Sequence, residues 1–210
     1  LDGNTRSAGR VREGVGVGIF LCVSSAWIVV SPAAAGPVRS APPIGLEALE
    51  CFDRIGELRQ GVRTYQSSSH DPFGTNYDSA NFLQTIGNEK VLLDVKGPGC
   101  VHRIWMTGID PHAMIRISFD GAANPSVEMT MDEFFSGIFA PFLRPLVGDD
   151  NYSSGGFISY LPMPFERGCR ITTESGGQFF NITYQKYADA SGVTTFTGKE
   201  DIAAVRTIWD

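Results

Sequence analysis

This sequence predicts a mainly β fold, an antiparallel jelly-roll sandwich with a short N-terminal helix. Two observations carry the prediction. Ile115, Ile117 and Phe119 alternate with Arg116 and Ser118, and Val127, Met129 and Met131 alternate with Glu128 and Thr130. That two-residue period is the mark of strands with one buried face. Short stretches of this kind recur from residue 91 to residue 187, separated by Gly, Pro and Asp turns. Many short strands with such punctuation fold as sandwiches or rolls.

The elements follow in order. Arg6, Arg10 and Arg12 precede an apolar run, Val15 to Val30, that ends at Ser31-Pro32-Ala33-Ala34-Ala35. A positive flank, a short apolar core and a small-residue site mark a secretory signal peptide over residues 1–35. The rival reading is a membrane anchor, but the run is shorter than the ~20 residues of a span. Export makes the chain secreted or periplasmic. Leu21, standing before Cys22, lacks the small size that a lipoprotein site requires. Residues 36–45 are Pro/Gly-rich and read as a linker.

Residues 46–90 hold a helix and a polar entry loop. Leu46, Leu49, Ile55 and Leu58 predict a short amphipathic helix from Leu46 to Leu58. Gly61 to Asp78, with Ser67-Ser68-Ser69, Asp71-Pro72, Gly74 and Asn76, reads as loop. Residues 91–210 form the jelly-roll domain, opened by a strand from Val91 to Val95. Cys100 to Thr107 packs Val101, Ile104, Trp105 and Met106 together, as a strand covered on both faces does. Asp120-Gly121 supplies the hairpin turn, because glycine takes φ > 0 without steric penalty. Pro125 precedes the next strand, where no ladder donor is needed. Asp132 to Phe135 reads as a helical turn, Ile171 to Thr173 and Phe179 to Tyr187 as later strands, and Asp201 to Ile208 as the start of a helix. Phe134, Phe135, Phe139 and Phe142 read as a plug between the sheets, or else as an apolar patch covered by a neighbouring protomer.

Composition excludes several classes. Charged residues make up 19% and hydrophobic ones 42%, which suits neither a disordered tail nor a membrane bundle. The net charge of −6 becomes −7 once the leader's three arginines and two acids are removed. Without a Lys/Arg cluster, that argues against a nucleic-acid surface. Cys51, Cys100 and Cys169 remain after the leader; Cys100 and Cys169 either pair or stay as buried thiols, the second reading being preferred. His70, His102 and His112 are scattered and no CxxC occurs, so no metal and no cofactor is expected. Asn151-Tyr152-Ser153 and Asn181-Ile182-Thr183 match the glycosylation acceptor, a pattern common by chance.

The wording of the strands is more specific than their period. GPGCVHRIWMT (Gly97 to Thr107), IRISFDGAANPSVEM (Ile115 to Met129) and DEFF (Asp132 to Phe135) resemble glycoside hydrolase family 172, the 2961 domain of unknown function. SSSHDPFGTNYD (Ser67 to Asp78) is similar to that family's serine-rich segment, and SYLPMPFERGCRI (Ser159 to Ile171) to its PMPF segment. The resemblance covers residues 55–205. It implies two jelly rolls, of which this chain holds the first, assembled as homo-oligomers, trimers or hexamers. It implies α-fructofuranosidase chemistry that forms difructose anhydride, or exo-acting D-arabinofuranosidase chemistry. It further implies a retaining mechanism with two glutamates, in GEGD-type and GTGTEDYF-type segments. Neither segment occurs here; Gly148-Asp149-Asp150 and Gly198-Lys199-Glu200-Asp201 lack the pattern. No catalytic residue is therefore assigned, the glutamates are expected in a C-terminal half, and the chain alone is expected to be inactive.

The binding half of a sugar site is better represented. Furanose recognition wants carboxylate acceptors, amides and an aromatic face. Asp71, Asn76 and Asp78 offer the first two in one loop, against the alternative of an Asx-turn loop bonded to its own backbone. Asp71 and Asp78 could also join an oxygen-rich cation site, though no calcium-type spacing supports it. Trp105 is the candidate stacking platform, with core burial as the alternative and Arg103 and Thr107 as flanking partners. Glu128 reads as facing solvent or a partner subunit, and Glu133, Glu166 and Glu174 as solvated acids. The expected partner is a furanoside oligosaccharide or polysaccharide. A non-catalytic carbohydrate-binding module and an oligomer-forming jelly roll are the alternatives.

Overall fold

The computed structural model describes residues 41–175 and 179–209. The signal-peptide segment 1–35 and the first part of the linker lie outside the described residues. The element order is α1 (Glu47–Glu50), a 3-10 turn (Phe52–Arg54), β1 (Arg63–Ser68), β2 (Gln84–Ile86), β3 (Glu89–Lys96), β4 (Gly99–Thr107), β5 (Met114–Phe119) and β6 (Val127–Thr130). There follow α2 (Met131–Phe135), β7 (Ile138–Phe139), β8 (Phe142–Leu143), β9 (Val147–Gly148), β10 (Phe157–Ser159), β11 (Met163–Phe165), β12 (Gly168–Thr173), β13 (Phe179–Lys186) and α3 (Ala203–Trp209).

Two antiparallel sheets make the sandwich. The first runs β1-β13-β4-β10-β9, with β11 also paired to β4; the second runs β2-β3-β12-β5-β6. The chain passes repeatedly from one sheet to the other: β2–β3, β5–β6 and β9–β10 are consecutive pairs, while β13 joins β1 to β4 and β12 joins β3 to β5. β4 is the organising strand. One side of it pairs along its length with β13, and the other takes β10 at Ile104–Met106 and β11 at Gly99–Val101.

The buried faces meet between the sheets. Ile104 and Met106 from β4, Ile115, Ile117 and Phe119 from β5, Ile171 from β12 and Phe180 and Ile182 from β13 form one cluster, which is the physical outcome of the two-residue period. Phe134, Phe135 and Phe142 plug it, with ring centroids 4.7 Å apart for Phe134–Phe135 and 4.4 Å for Phe134–Phe142. Phe139, in contrast, is 43% exposed. α2 begins with a capping box: Thr130 Oγ1 accepts from Glu133 N–H and Glu133 Oε2 accepts from Thr130 N–H, which satisfies donors a helix start leaves open.

Three expectations are corrected. The segment Leu46–Leu58 is not one amphipathic helix; α1 and the 3-10 turn are separate, and Ile55 and Leu58 are 82% and 89% exposed. A helix that short needs an apolar floor to hold it, and only Leu46 and Leu49 reach the core. The expected loop from Gly61 begins instead as strand β1, which covers the edge of β13 from Arg63↔Lys186 to Ser68↔Asn181. Its first four residues are exposed, so no alternation betrays it. Its anchor is Ser67, whose hydroxyl donates to Leu92 O at 2.6 Å. Finally, β4 is covered on both faces only at its start. Beyond a bulge that passes over His102, Ile104 and Met106 are buried while Arg103, Trp105 and Thr107 are half-buried on the outer face. Cys100 and Cys169 are buried free thiols, and burial pushes both well above the ordinary thiol value.

Candidate functional site

The loop after β1 folds around one carboxylate. Asp71 Oδ1 accepts from Phe73 N–H at 2.8 Å; Oδ2 accepts from the Thr75 hydroxyl and N–H, both at 2.5 Å, and from Tyr77 N–H at 3.2 Å. Asp71 N–H in turn donates to Asp78 Oδ1 at 2.8 Å. The Thr75 hydroxyl first, then the Phe73 amide, hold the Asp71 carboxyl down to about 2, since donors aimed at a carboxylate favour its charged form. Asp71 thus acts on its own loop, in the Asx-turn manner. Asn76 and Asp78 are exposed, Asn76 in the left-handed region at φ 68°.

Trp105 lies two strands away. Ser68 is opposite Asn181, and Asn181 is opposite Trp105, a row spanning about 10 Å at the usual strand spacing. Arg103 Nη1 and the Thr183 hydroxyl both donate to Asn181 Oδ1, at 3.3 and 3.4 Å. Ser68 Oγ and His70 Nδ1 are 3.0 Å apart at the row's other end. The outer face of this sheet is therefore a polar shelf with one half-buried indole. Gly156 passes so close that a Cβ there would lie 2.3 Å from Trp105 Nε1, and this contact seats the ring. The shelf and the Asp71 loop are continuous through β1. Sequence reasoning missed Asn181, hidden within a glycosylation-like triplet. It also missed Phe73 and Tyr77, two large aromatics in the polar loop.

The acids sort into structural roles. Arg116 donates from Nε to Glu128 at 2.7 Å, from Nη2 to Glu174 at 2.9 Å, and from Nη1 to Glu89. Glu128 and Glu174 are thus bound to a common guanidinium on the outer face of the second sheet. Three carboxylates on one arginine tie β3, β5, β6 and the end of β12 together across the strands. Glu133 caps α2. Asp120 Oδ1 accepts from Arg167 N–H at 2.6 Å and Gly168 N–H at 3.1 Å, and its other oxygen takes the Thr195 hydroxyl. Burial would push this carboxyl up, yet the Thr195 hydroxyl and the amides together hold it below its usual value.

A cleft of about 570 Å³ is lined by Asp120, Arg167 and Gly168, and others lie away from these acids. A cleft of about 430 Å³ runs between residues 42–62 and the ends of β4 and β13, reaching His102, Gln185 and Tyr187. Another, about 340 Å³ and mostly apolar, is bounded by Leu49, His102, Leu146, Tyr160 and Trp209. His102 lies 3.1 Å from Gln185 Oε1, and burial lowers its pKa. Among the described residues no group of three or more His, Cys, Asp or Glu is placed to hold a metal ion. No helix among them is long and apolar enough to cross a membrane.

Comparison with protein families matches the chain to the GH172 first beta-sandwich domain over residues 60–204. The match starts just ahead of β1 and ends in α3, so it takes in both sheets, the Asp71 loop and Trp105. Comparison with curated proteins gives no match.

Proposed function

The chain belongs to the GH172 family, and on that premise we propose that it is the first sandwich of a secreted or periplasmic glycoside hydrolase. The proposed substrates carry α-fructofuranosyl or D-arabinofuranosyl linkages. The observation that supports the reading is the family match across both sheets, which gives the fold a carbohydrate context. Retaining hydrolysis needs two carboxyl groups about 5–5.5 Å apart, one of them able to donate a proton. The convergent acids here instead ring Arg116. The two glutamates accordingly lie on a second sandwich outside residues 1–210, while this one frames the furanoside and builds a trimer or hexamer. The leader 1–35 delivers the protein across the membrane.

Residues 36–210 and a longer product carrying the two glutamate segments are assayed together on an aryl D-arabinofuranoside and inulin-type oligosaccharides. Turnover by the longer product alone is the expected result. Turnover by residues 36–210 refutes the placement of the glutamates. Inactivity of both on every furanoside refutes the substrate class and favours a non-catalytic module.

A further inference from the structure

Two side chains of the Asp71 loop stand apart from its polar residues. Phe73 and Tyr77 are 87% and 79% exposed, an unfavourable place for large apolar groups unless something covers them in use. Their backbone is nevertheless braced. Phe73 N–H and Tyr77 N–H end on the two oxygens of one carboxylate, so the rings spring from points separated by little more than its width and two hydrogen bonds. Asn81 Nδ2 adds a brace, donating to Ser69 O at 2.9 Å and Tyr77 O at 2.5 Å. A loop held this way has already met much of the ordering cost of binding.

The size of the patch decides what it fits. An aromatic side chain offers about 150–250 Å², so two offer well under the ~800 Å² per partner that a stable protein interface needs. The patch matches a small ring. Asn76 and Asp78, exposed on the same loop, add an amide and a carboxylate to it, while the Thr75 hydroxyl is already donated to Asp71. An apolar face flanked by such groups suits a sugar, whose C–H face stacks while its hydroxyls reach the polar neighbours.

We infer that Phe73 and Tyr77 form a two-ring stacking finger for furanose residues of an oligosaccharide, with Asn76 and Asp78 meeting the sugar hydroxyls. This rests on the furanoside reading above and names the surface that holds the substrate chain. Phe73→Ala, Tyr77→Ala and the double variant of the full chain are titrated with a D-arabinofuranosyl tetrasaccharide and an inulin-type fructotetraose. Thermal unfolding and sedimentation are measured beside the titrations. The expected result is a loss of affinity of roughly two- to tenfold per ring, with folding and assembly unchanged. Wild-type affinity retained in the double variant overturns the finger while leaving the hydrolase reading intact. A loss of assembly without a loss of affinity assigns the rings to a subunit contact and also overturns it. Failure of the wild type to bind either probe overturns the finger, and the turnover assay of the longer product decides the hydrolase reading separately.

Discussion

Replacing Gly99 with alanine tests whether the start of β4 is packed as tightly as the structure requires. Gly99 sits where three strands meet, paired with Lys186 of β13 on one side and Phe165 of β11 on the other. A Cβ at this position would lie 2.2 Å from Gln185 O and 2.7 Å from Phe165 Cζ. Real Cβ atoms essentially never approach a neighbour within 3.0 Å, so the Gln185 carbonyl must retreat by about 0.8 Å at least. Phe165 is fully buried and has no open space to turn into. Overpacking of this kind costs about 1–3 kcal/mol. A buried ladder group left without its partner adds about 1–3 kcal/mol. The sum of about 2–6 kcal/mol is a large share of the 5–15 kcal/mol that holds an ordinary domain together. Gly56→Ala is the control, since a Cβ there has nothing within 4 Å and is expected to change stability by at most about 0.5 kcal/mol. The assay is urea unfolding followed by tryptophan fluorescence, with the m-value compared across variants. A Gly99→Ala midpoint equal to that of Gly56→Ala refutes the three-strand packing argument.

Other perturbations probe separate links. Phe134→Ala empties the centre of the aromatic plug and is expected to cost about 3–5 kcal/mol in chemical unfolding; the exposed Phe139→Ala should cost far less, and equal losses would contradict the plug. Arg116→Met releases three partly exposed carboxylates, and because such pairs are worth about 0.2–1 kcal/mol each, the loss should stay below ~3 kcal/mol and shrink in high salt; a salt-independent loss would point to packing instead. The Asp71 carboxyl is depressed from 3.8 to about 2, so its contribution is present above the unfolded value and disappears as pH falls through about 2. Amide exchange at Phe73 and Tyr77 should therefore quicken between pH 4 and 2 relative to the rest of the chain, and Asp71→Asn should abolish that acid-dependent step. Thr130→Ala removes the α2 cap and is expected to cost about 1 kcal/mol, read as a shift in the urea midpoint.

The sequence by itself determined the strands with one buried face. β5 and β6 were legible because alternation is a local property, set by the two-residue repeat of the chain, whereas the one-sided burial of β4 beyond His102 was not. The helical turn read over Asp132–Phe135 was legible because its residues are neighbours in the chain, though Met131, read as the last alternating residue of the strand, opens that helix instead. Motif wording placed the family. Edge and surface elements were not legible: β1 is a strand because β13 leaves an edge for it, and Ile55 and Leu58 lie exposed at the cleft beside residues 42–62 rather than in the core. The candidate site divides in the same way. The polar residues of the Asp71 loop could be named from sequence, but only the fold shows that both Asp71 oxygens are taken up by the loop's own donors. Trp105 could be read as platform or core; the bulge at His102 and the close pass of Gly156 decided its half-buried place. Glu128 read as facing solvent or a partner subunit and Glu174 as a solvated acid, yet both meet Glu89 at Arg116, across separations from the arginine of 12, 58 and 27 residues. Periodicity records which face of a strand is buried. Which distant side chains then converge depends on strand order and register, and those were decided only by the packing of the two sheets.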